Sequence, residues 1–365
     1  MSKVYFTSFR TSPGNNLLQK LTRLITAAGI GDYNFSKKFV ALKIHFGEPG
    51  NLSFIRPNFV VPVVKTIEEK GGIPFLTDAN TLYKGKRSDA VNHLESAFAN
   101  GFNPLVTQCQ TIIADGLKGT DYKSIEINQK HCKTAKIGAA IANADVVISL
   151  NHFKGHEMAG FGGCLKNLGM GSASIGGKLE MHSNSQPQVN ASHCTGCGEC
   201  EENCAHGAIQ VGADNIAAID YAKCVGCGQC VAVCQYESAQ VKWENKGFYE
   251  KMAEYAFAVL KDKQHFHINF IMDVSPDCDC WGNNDIPIVN DIGILASVDP
   301  VAIDKASVDL VNKAEINPAS IIGQHHHMEG DRFGFTHPKT NWKECLDHAE
   351  NIGLGTQQYE IIEVN

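Results

Sequence analysis

Eight of the fourteen cysteines stand in two copies of one spacing, and no other feature restricts this 365-residue chain so sharply. Cys194, Cys197, Cys200 and Cys204 run C-x2-C-x2-C-x3-C, and Cys224, Cys227, Cys230 and Cys234 repeat the pattern thirty residues later. The flanks repeat too: Thr195-Gly196-Cys197-Gly198 answers Val225-Gly226-Cys227-Gly228, and Gln210-Val211 answers Gln240-Val241. A cubane centre needs four thiolates converging on it, and a tight glycine-rich loop supplies three. Structural zinc asks instead for two C-x2-C pairs, and a disulfide framework asks for an export signal.

The double run resembles the bacterial two-cluster ferredoxin module. In that pattern the fourth cysteine of each run ligates the other cluster. The resemblance therefore implies one [4Fe–4S] cluster on Cys194, Cys197, Cys200 and Cys234, and a second on Cys224, Cys227, Cys230 and Cys204. Ferredoxins usually place Pro after the fourth cysteine, whereas Ala205 and Gln235 stand here. Proline shapes that turn without ligating, so the departure concerns the backbone rather than the clusters.

A ferredoxin stretch of about fifty residues leaves over 300 others, enough to bury a large core of their own. A net charge of −7, with no Lys/Arg-rich run, argues against a nucleic-acid partner. The opening MSKVYFTSFR lacks the apolar core of a signal peptide. No apolar run approaches the roughly twenty residues of a membrane span. Fourteen cysteines without export are expected in a reducing cytoplasm, where thiolates hold metal rather than form disulfides.

Before the cysteine runs, strands and helices alternate. Strands are expected at Lys3–Thr7, Phe39–Phe46, Ile73–Thr77, Thr111–Asp115, Ser124–Asn128 and Asp145–Leu150. Helices are expected at Leu17–Ala28, Pro57–Lys70, Ser88–Asn100 and Lys136–Asn143. After the runs the rhythm resumes with a helix at Lys246–Lys261, strands at His265–Asp273 and Gly293–Ser297, and a helix at Pro300–Lys313 with Asp299 as N-cap. This alternation predicts an α/β fold with a mostly parallel, doubly wound sheet. The C-terminal piece has too few strands for a sheet of its own. The expected division is therefore an α/β domain begun by residues 1–189, an α+β ferredoxin-like insertion at 190–242, and residues 243–365 completing the α/β domain.

Asn151–Lys178 (NHFKGHEMAGFGGCLKNLGMGSASIGGK) directly follows a strand and so leaves the carboxyl edge of the sheet, where ligands bind in such folds. It holds eight glycines among twenty-eight residues, interleaved with His152, Lys154, His156, Lys166 and Lys178. As a loop it suits a carboxylate or phosphate, or it simply packs the cysteine-rich unit. Neither G-x4-G-K-[ST] nor G-x-G-x-x-G occurs in it, which disfavours P-loop and dinucleotide-binding enzymes. His152, Lys154 and Lys166 are the catalytic candidates: a lysine fixes an anionic group, and a histidine donates a proton near neutral pH.

Asp277-Cys278-Asp279-Cys280-Trp281 follows another strand. Cysteines two apart in an extended segment face opposite ways, so Cys278 and Cys280 share one ion only in a bent loop. They are a candidate additional metal site, against the alternative of reduced structural thiols. His45, Asp78-Ala79-Asn80, Tyr83, Lys84 and Arg87 leave strand ends and are placed to line the same crevice. Cys109, Cys132, Cys164 and Cys345 read as structural, and His325-His326-His327 as a solvated loop.

Together these segments resemble the iron–sulfur center protein group, domain of unknown function 362. The resemblance rests on KIHFGEPGN (Lys43–Asn51), TDANTLYKGKR (Thr77–Arg87), NHFKGHEMAGFGGCLKNLGMG (Asn151–Gly171), the cysteine runs, DCDCWGNNDIPIVNDIGILAS (Asp277–Ser297) and DPVAIDKASVDL (Asp299–Leu310). It implies two cubanes inside an α/β protein and no particular reaction. A weaker similarity relates His152, Gly162-Gly163 and Lys166 to the His…Gly-Gly-x-Lys segment of nickel-pincer lactate racemases, although Cys164-Leu165 intervenes here. It implies a crevice for a small acid or an unusual cofactor.

The resulting expectation is an oxidoreductase that takes electrons from a partner such as a ferredoxin, through two [4Fe–4S] clusters, to a small anionic substrate or a second metal or organic cofactor. The alternatives are a non-catalytic electron-transfer subunit of a larger redox complex and a metal- or cluster-handling protein. Hydrolase chemistry is disfavoured by the lack of a G-x-S-x-G elbow.

Overall fold

The computed structural model describes the chain except residues 84, 184, 185, 205, 225, 227, 242–246, 326 and 328. Lys84, Ala205, Cys227 and His326 therefore lie outside the described residues.

The first part runs β1 (Ser2–Ser8), α1 (Leu17–Ala27), β2 (Phe39–Lys43), α2 (Val60–Glu68), β3 (Ile73–Asp78), α3 (Ala90–Ala99), α4 (Pro104–Thr107) and β4 (Gln110–Ile113). A hairpin of β5 (Tyr122–Glu126) and β6 (Thr134–Gly138), then α5 (Ala139–Asn143), leads into β7 (Val146–His152). The chain continues through a small hairpin, β8 (Lys154–His156) and β9 (Gly160–Gly162), into α6 (Cys164–Ser172) and α7 (Ile175–Ser183).

The cysteine-rich stretch forms β10 (Pro187–Val189), α8 (Glu199–Glu202), β11 (Ile209–Val211), β12 (Ala217–Ile219), α9 (Gln229–Val233) and β13 (Ala239–Val241). The antiparallel pair of β10 with β13 brings its two ends side by side, and β11 pairs with β12 between them. Beyond it come α10 (Phe248–Leu260), β14 (Gln264–Ile271), β15 (Gly293–Ser297), α11 (Pro300–Lys313), α12 (Arg332–Thr336), α13 (Trp342–Asn351) and β16 (Tyr359–Glu363).

One eight-stranded sheet, ordered β16-β1-β15-β14-β7-β2-β3-β4, takes strands from both sides of the cysteine-rich stretch. Every pairing is parallel except the two made by β15. The fold is thus mixed α/β around a large, mostly parallel sheet. Along β7 successive side chains alternate faces: Val146, Ile148 and Leu150 join α1 and α2 in one core, while Val147 joins α6, α10, α11 and α13 in the other. No helix among the described residues is long and apolar enough to cross a membrane.

Two expectations need correction. Lys136 to Gly138 extend as β6, paired with β5, and only Ala139–Asn143 is helical. Pairing with a neighbour here overrides local helical spacing. The glycine-rich segment is also no phosphate-cradling loop, because it is built mostly of regular elements: the end of β7, the β8–β9 hairpin, α6 and the start of α7. Its glycines instead allow backbone contact. A Cβ on Gly169 of α6 would stand 2.2 Å from the Met252 carbonyl oxygen of α10, and one on Gly155 would stand 1.8 Å from the Pro276 carbonyl oxygen.

A polar seam fixes α6 to the sheet. The buried Asp304 carboxylate, on α11, accepts the N–H groups of Cys164 and Leu165 at 2.7 and 2.9 Å, capping the first turn of α6 from outside. It also accepts from Asn269 Nδ2 at 2.9 Å. Asn167 of α6 donates to the Asn151 side chain at 2.7 Å and accepts from Lys43 Nζ at 2.7 Å. Gly169→Ala should lower stability by about 2–3 kcal/mol, because backbone atoms cannot yield as a flexible side chain can. A denaturant midpoint unchanged from wild type would contradict this packing.

Candidate active-site crevice

Neighbouring parallel strands β7, β2 and β3 deliver their carboxyl ends to one crevice, and Cys280 and Trp281, in the segment beyond β14, line it as well. Its wall is largely apolar, with Leu82, Met158, Met170, Phe248 and Trp281, over a floor of charged groups. A few charges beneath an apolar wall are the usual make-up of a small-molecule site.

The floor has two ion-pair centres. At the first, Lys43 Nζ, fully buried at the end of β2, lies 2.8 Å from Asp78 Oδ1 at the end of β3. Burial pushes the Lys43 ammonium below its ordinary range, with Asp78 opposing. Burial alone would raise the Asp78 carboxyl, but Lys43 and the nearby histidines hold it well below the usual range. Arg87 completes this side, donating to Glu48 at 2.7 Å and to the Tyr83 hydroxyl at 2.6 Å, with its Nη1 2.8 Å from His45 Nε2. Burial pushes His45 down to about 3, so its ring is neutral near pH 7.

The second centre is Asp279. Its carboxylate meets Lys154 Nζ at 2.8 Å, His152 Nδ1 at 3.1 Å and His45 Nδ1 at 3.5 Å. Burial opposes its ionisation, but the Lys154 ammonium and the His152 hydrogen bond help to hold it well below the ordinary carboxylate range. His152 Nε2 faces the Met272 carbonyl at 2.8 Å, so both its ring nitrogens already face protein acceptors. Lys166 Nζ reaches Cys278 Sγ at 3.3 Å. Burial disfavours a Cys278 thiolate, yet the Cys280 thiol and Lys166 outweigh it and hold Cys278 well below the ordinary thiol range. The three catalytic candidates thus converge on the Asp277–Trp281 segment, read separately in the sequence.

Lys178, on α7, is different. Its Nζ donates to the Ala173 carbonyl and makes no ion pair within 4 Å among the described residues. Burial lowers it to about 8, against the pull of Asp115. Asp115 is pushed up to about 7 by burial, and its Oδ2 is buried without a hydrogen-bond partner among the described residues. His182, one turn along α7, also lines the crevice and is pushed down to about 3 by burial. In sequence Lys178 stands only as one of several basic residues, and His182 lies just outside the glycine-rich stretch.

The cysteine runs line two separate voids. Cys194, Cys197, Cys200 and Cys234 surround one, and Cys204, Cys224 and Cys230 the other. Gly196, Gly198, Gly226 and Gly228 all adopt positive φ, so the two loops turn alike. Backbone N–H groups of Ala217, Ala208 and Ala239 point at the sulfurs of Cys194, Cys204 and Cys234 at 3.2–3.3 Å. Such a bond, from Ala217, lowers the Cys194 thiol below its ordinary range. The second void adjoins the crevice wall: Val231 of α9 packs with Ile175 and Leu179 of α7 and with Leu82, and Cys230 lies against this cluster.

Fold and site define a mostly parallel α/β protein with a charged crevice at the carboxyl edge of its sheet and a cysteine-rich unit beside it. Residues 40–309, more than half of the chain, match the family described as Domain of unknown function (DUF362), and the chain belongs to that family. No curated protein matches it. Among solved structures it is similar to the lactate racemase apoprotein from Thermoanaerobacterium thermosaccharolyticum, with 14% identity and a TM-score of 0.38 over 75% of this chain and 51% of that one. It is also similar to a protein from Thermotoga maritima, with 12% identity and a TM-score of 0.32 over 70% of this chain and 50% of that one. The chain spans about half the length of each.

Asp279→Asn should leave the Lys154 ammonium without its buried counter-charge, costing about 3–5 kcal/mol of stability. Chemical denaturation checks this, and a loss below about 1 kcal/mol would mean the charges are solvated rather than paired.

Proposed function

We propose that residues 190–242 form an inserted ferredoxin-like unit carrying two [4Fe–4S] clusters. On this reading the chain is an oxidoreductase that passes electrons to a small anionic substrate in the crevice. The donor would be a partner protein such as a ferredoxin. The donor sets fit the clusters: the first void joins three cysteines of one run to the fourth of the other, and the second joins Cys204 to Cys224 and Cys230. Amide N–H groups aimed at sulfur favour thiolates, as cubane ligation requires. When bound, the clusters supply one-electron transfer.

The observation that carries the functional reading is the contact between α9 and the crevice wall. Leu82 touches both sides, packing with Val231 and lining the crevice. Electrons leaving the Cys230 side would meet the crevice through one packed layer of side chains.

Inside the crevice, Lys178 would bind the substrate's anionic group, as a buried lysine with no ion pair within 4 Å among the described residues. Lys166 would add a second positive charge to the same crevice. Lys154 and His152 would act as positioning residues, holding Asp279 and through it the Asp277–Trp281 segment.

Three outcomes are expected. Cys204→Ser and Cys224→Ser should perturb one and the same electron paramagnetic resonance signal of the reduced protein, and Cys200→Ser and Cys234→Ser the other. Signals shared by Cys200 and Cys204 would contradict the crossed ligation. Second, oxalate, which does not titrate in this range, should bind less tightly as pH rises through about 8, by up to about tenfold per unit, because Lys178 is cationic only below that pH. An affinity that calorimetry finds level across that range would remove Lys178 from the anion site. Third, small carboxylate oxidants should reoxidise dithionite-reduced protein at least ten times more slowly in Lys178→Met with iron content unchanged. Equal rates in both proteins would favour the electron-transfer-subunit reading.

A further inference from the structure

We propose that Cys278, Cys280 and His156 form a mononuclear site for a zinc-type divalent cation, with its fourth coordination position open to the crevice. Each residue offers one ligand atom, and the three atoms lie within 4.8 Å of one another. Tetrahedral zinc, with Zn–S of about 2.3 Å and Zn–N of about 2.0–2.1 Å, separates such atoms by about 3.4–3.8 Å, a contraction within the range of small side-chain rotations.

The local backbone builds the arrangement. Residues two apart in a strand would face opposite ways, but the Trp281 N–H donates to the Cys278 carbonyl at 3.1 Å and bends the segment into a turn. Within that turn the Cys280 N–H also donates to Cys278 Sγ at 3.3 Å. His156 is fixed from the other side. Its Nδ1 accepts the N–H groups of Met158 and Ala159, both at 3.1 Å, which leaves Nε2 for the ion.

Placement favours an open site over a closed structural one. Cys278 is fully buried behind the wall, whereas Cys280 and His156 line the crevice itself. Two thiolates and one imidazole select a borderline-soft ion over magnesium or calcium, and three protein ligands with one vacancy is the pattern of catalytic zinc. Lys166, 3.3 Å from Cys278 Sγ, supplies the outer-shell donor that such thiolates take. The two thiolates neutralise the ion, so Lys166 leaves net positive charge beside the vacancy. The ligand class expected there is a small carboxylate or other oxyanion. That last point rests on the anion-binding reading of the crevice, whereas metal binding depends on neither it nor the clusters.

The test uses full-length protein purified without oxygen, given one equivalent of zinc sulfate, desalted and measured by metal analysis and zinc-edge X-ray absorption. The expected result is one zinc per chain with two sulfur neighbours near 2.3 Å and the remainder nitrogen or oxygen. Cys280→Ser and His156→Ala should each weaken zinc retention at least tenfold while iron and sulfide content stay at the wild-type value. Zinc that washes out of the wild type, zinc surrounded by four sulfurs, or equal retention in both variants would overturn the site. Iron is read separately, so absent clusters and an absent zinc site give different results.

Discussion

The crevice depends on how α6 is held against the sheet. A buried carboxylate, Asp304, caps that helix from α11, and a buried ammonium, Lys43, meets it through Asn167. The helix N-terminus draws negative charge through its unpaired N–H groups and its dipole. Burial opposes the charge and raises the Asp304 carboxyl to about 6. Three N–H donors offset that penalty, so the seam imposes geometry more than it adds net stability. Through it Lys166 is brought towards Cys278, and Met170 and Gly171 towards the crevice wall.

Among the described residues, three cations of the crevice are matched directly by carboxylates. Lys43 faces Asp78, Arg87 faces Glu48, and Lys154 faces Asp279. Each pair removes a buried charge that would otherwise be costly. Lys178 lacks such a direct partner, and its depressed value of about 8 records the strain of holding charge there. A buried cation without a direct counter-charge is the group most stabilised by an incoming anion.

Much of the frame was legible in the sequence. Strands over Phe39–Phe46, Ile73–Thr77 and Asp145–Leu150 are legible as short apolar runs, and the structure ends them at Lys43, Asp78 and His152; Asp299 caps α11 through the N–H groups of Val301 and Ala302, as its position before Pro300 suggests. The β16 strand, YEIIE, is not legible in the sequence because its partner β1 lies at the other end of the chain. The role of the glycines is ambiguous in sequence for a related reason. A glycine that admits Met252 of α10 looks, in sequence, like a glycine that turns a loop. The convergence of His152, Lys154 and Lys166 on Cys278 and Asp279 was also invisible, since it follows from β7 pairing with β14 across a gap of more than 100 residues. Spacing within each cysteine run, by contrast, is local and survives any rearrangement of the rest.

Mössbauer spectroscopy on iron-57-enriched wild-type protein, purified without oxygen, tests the electron-relay account most directly. The account predicts eight irons per chain, all in the signature of two [4Fe–4S] clusters. Four irons or fewer after full reconstitution, or iron outside the cubane signature, would contradict it and return the cysteine runs to another metal.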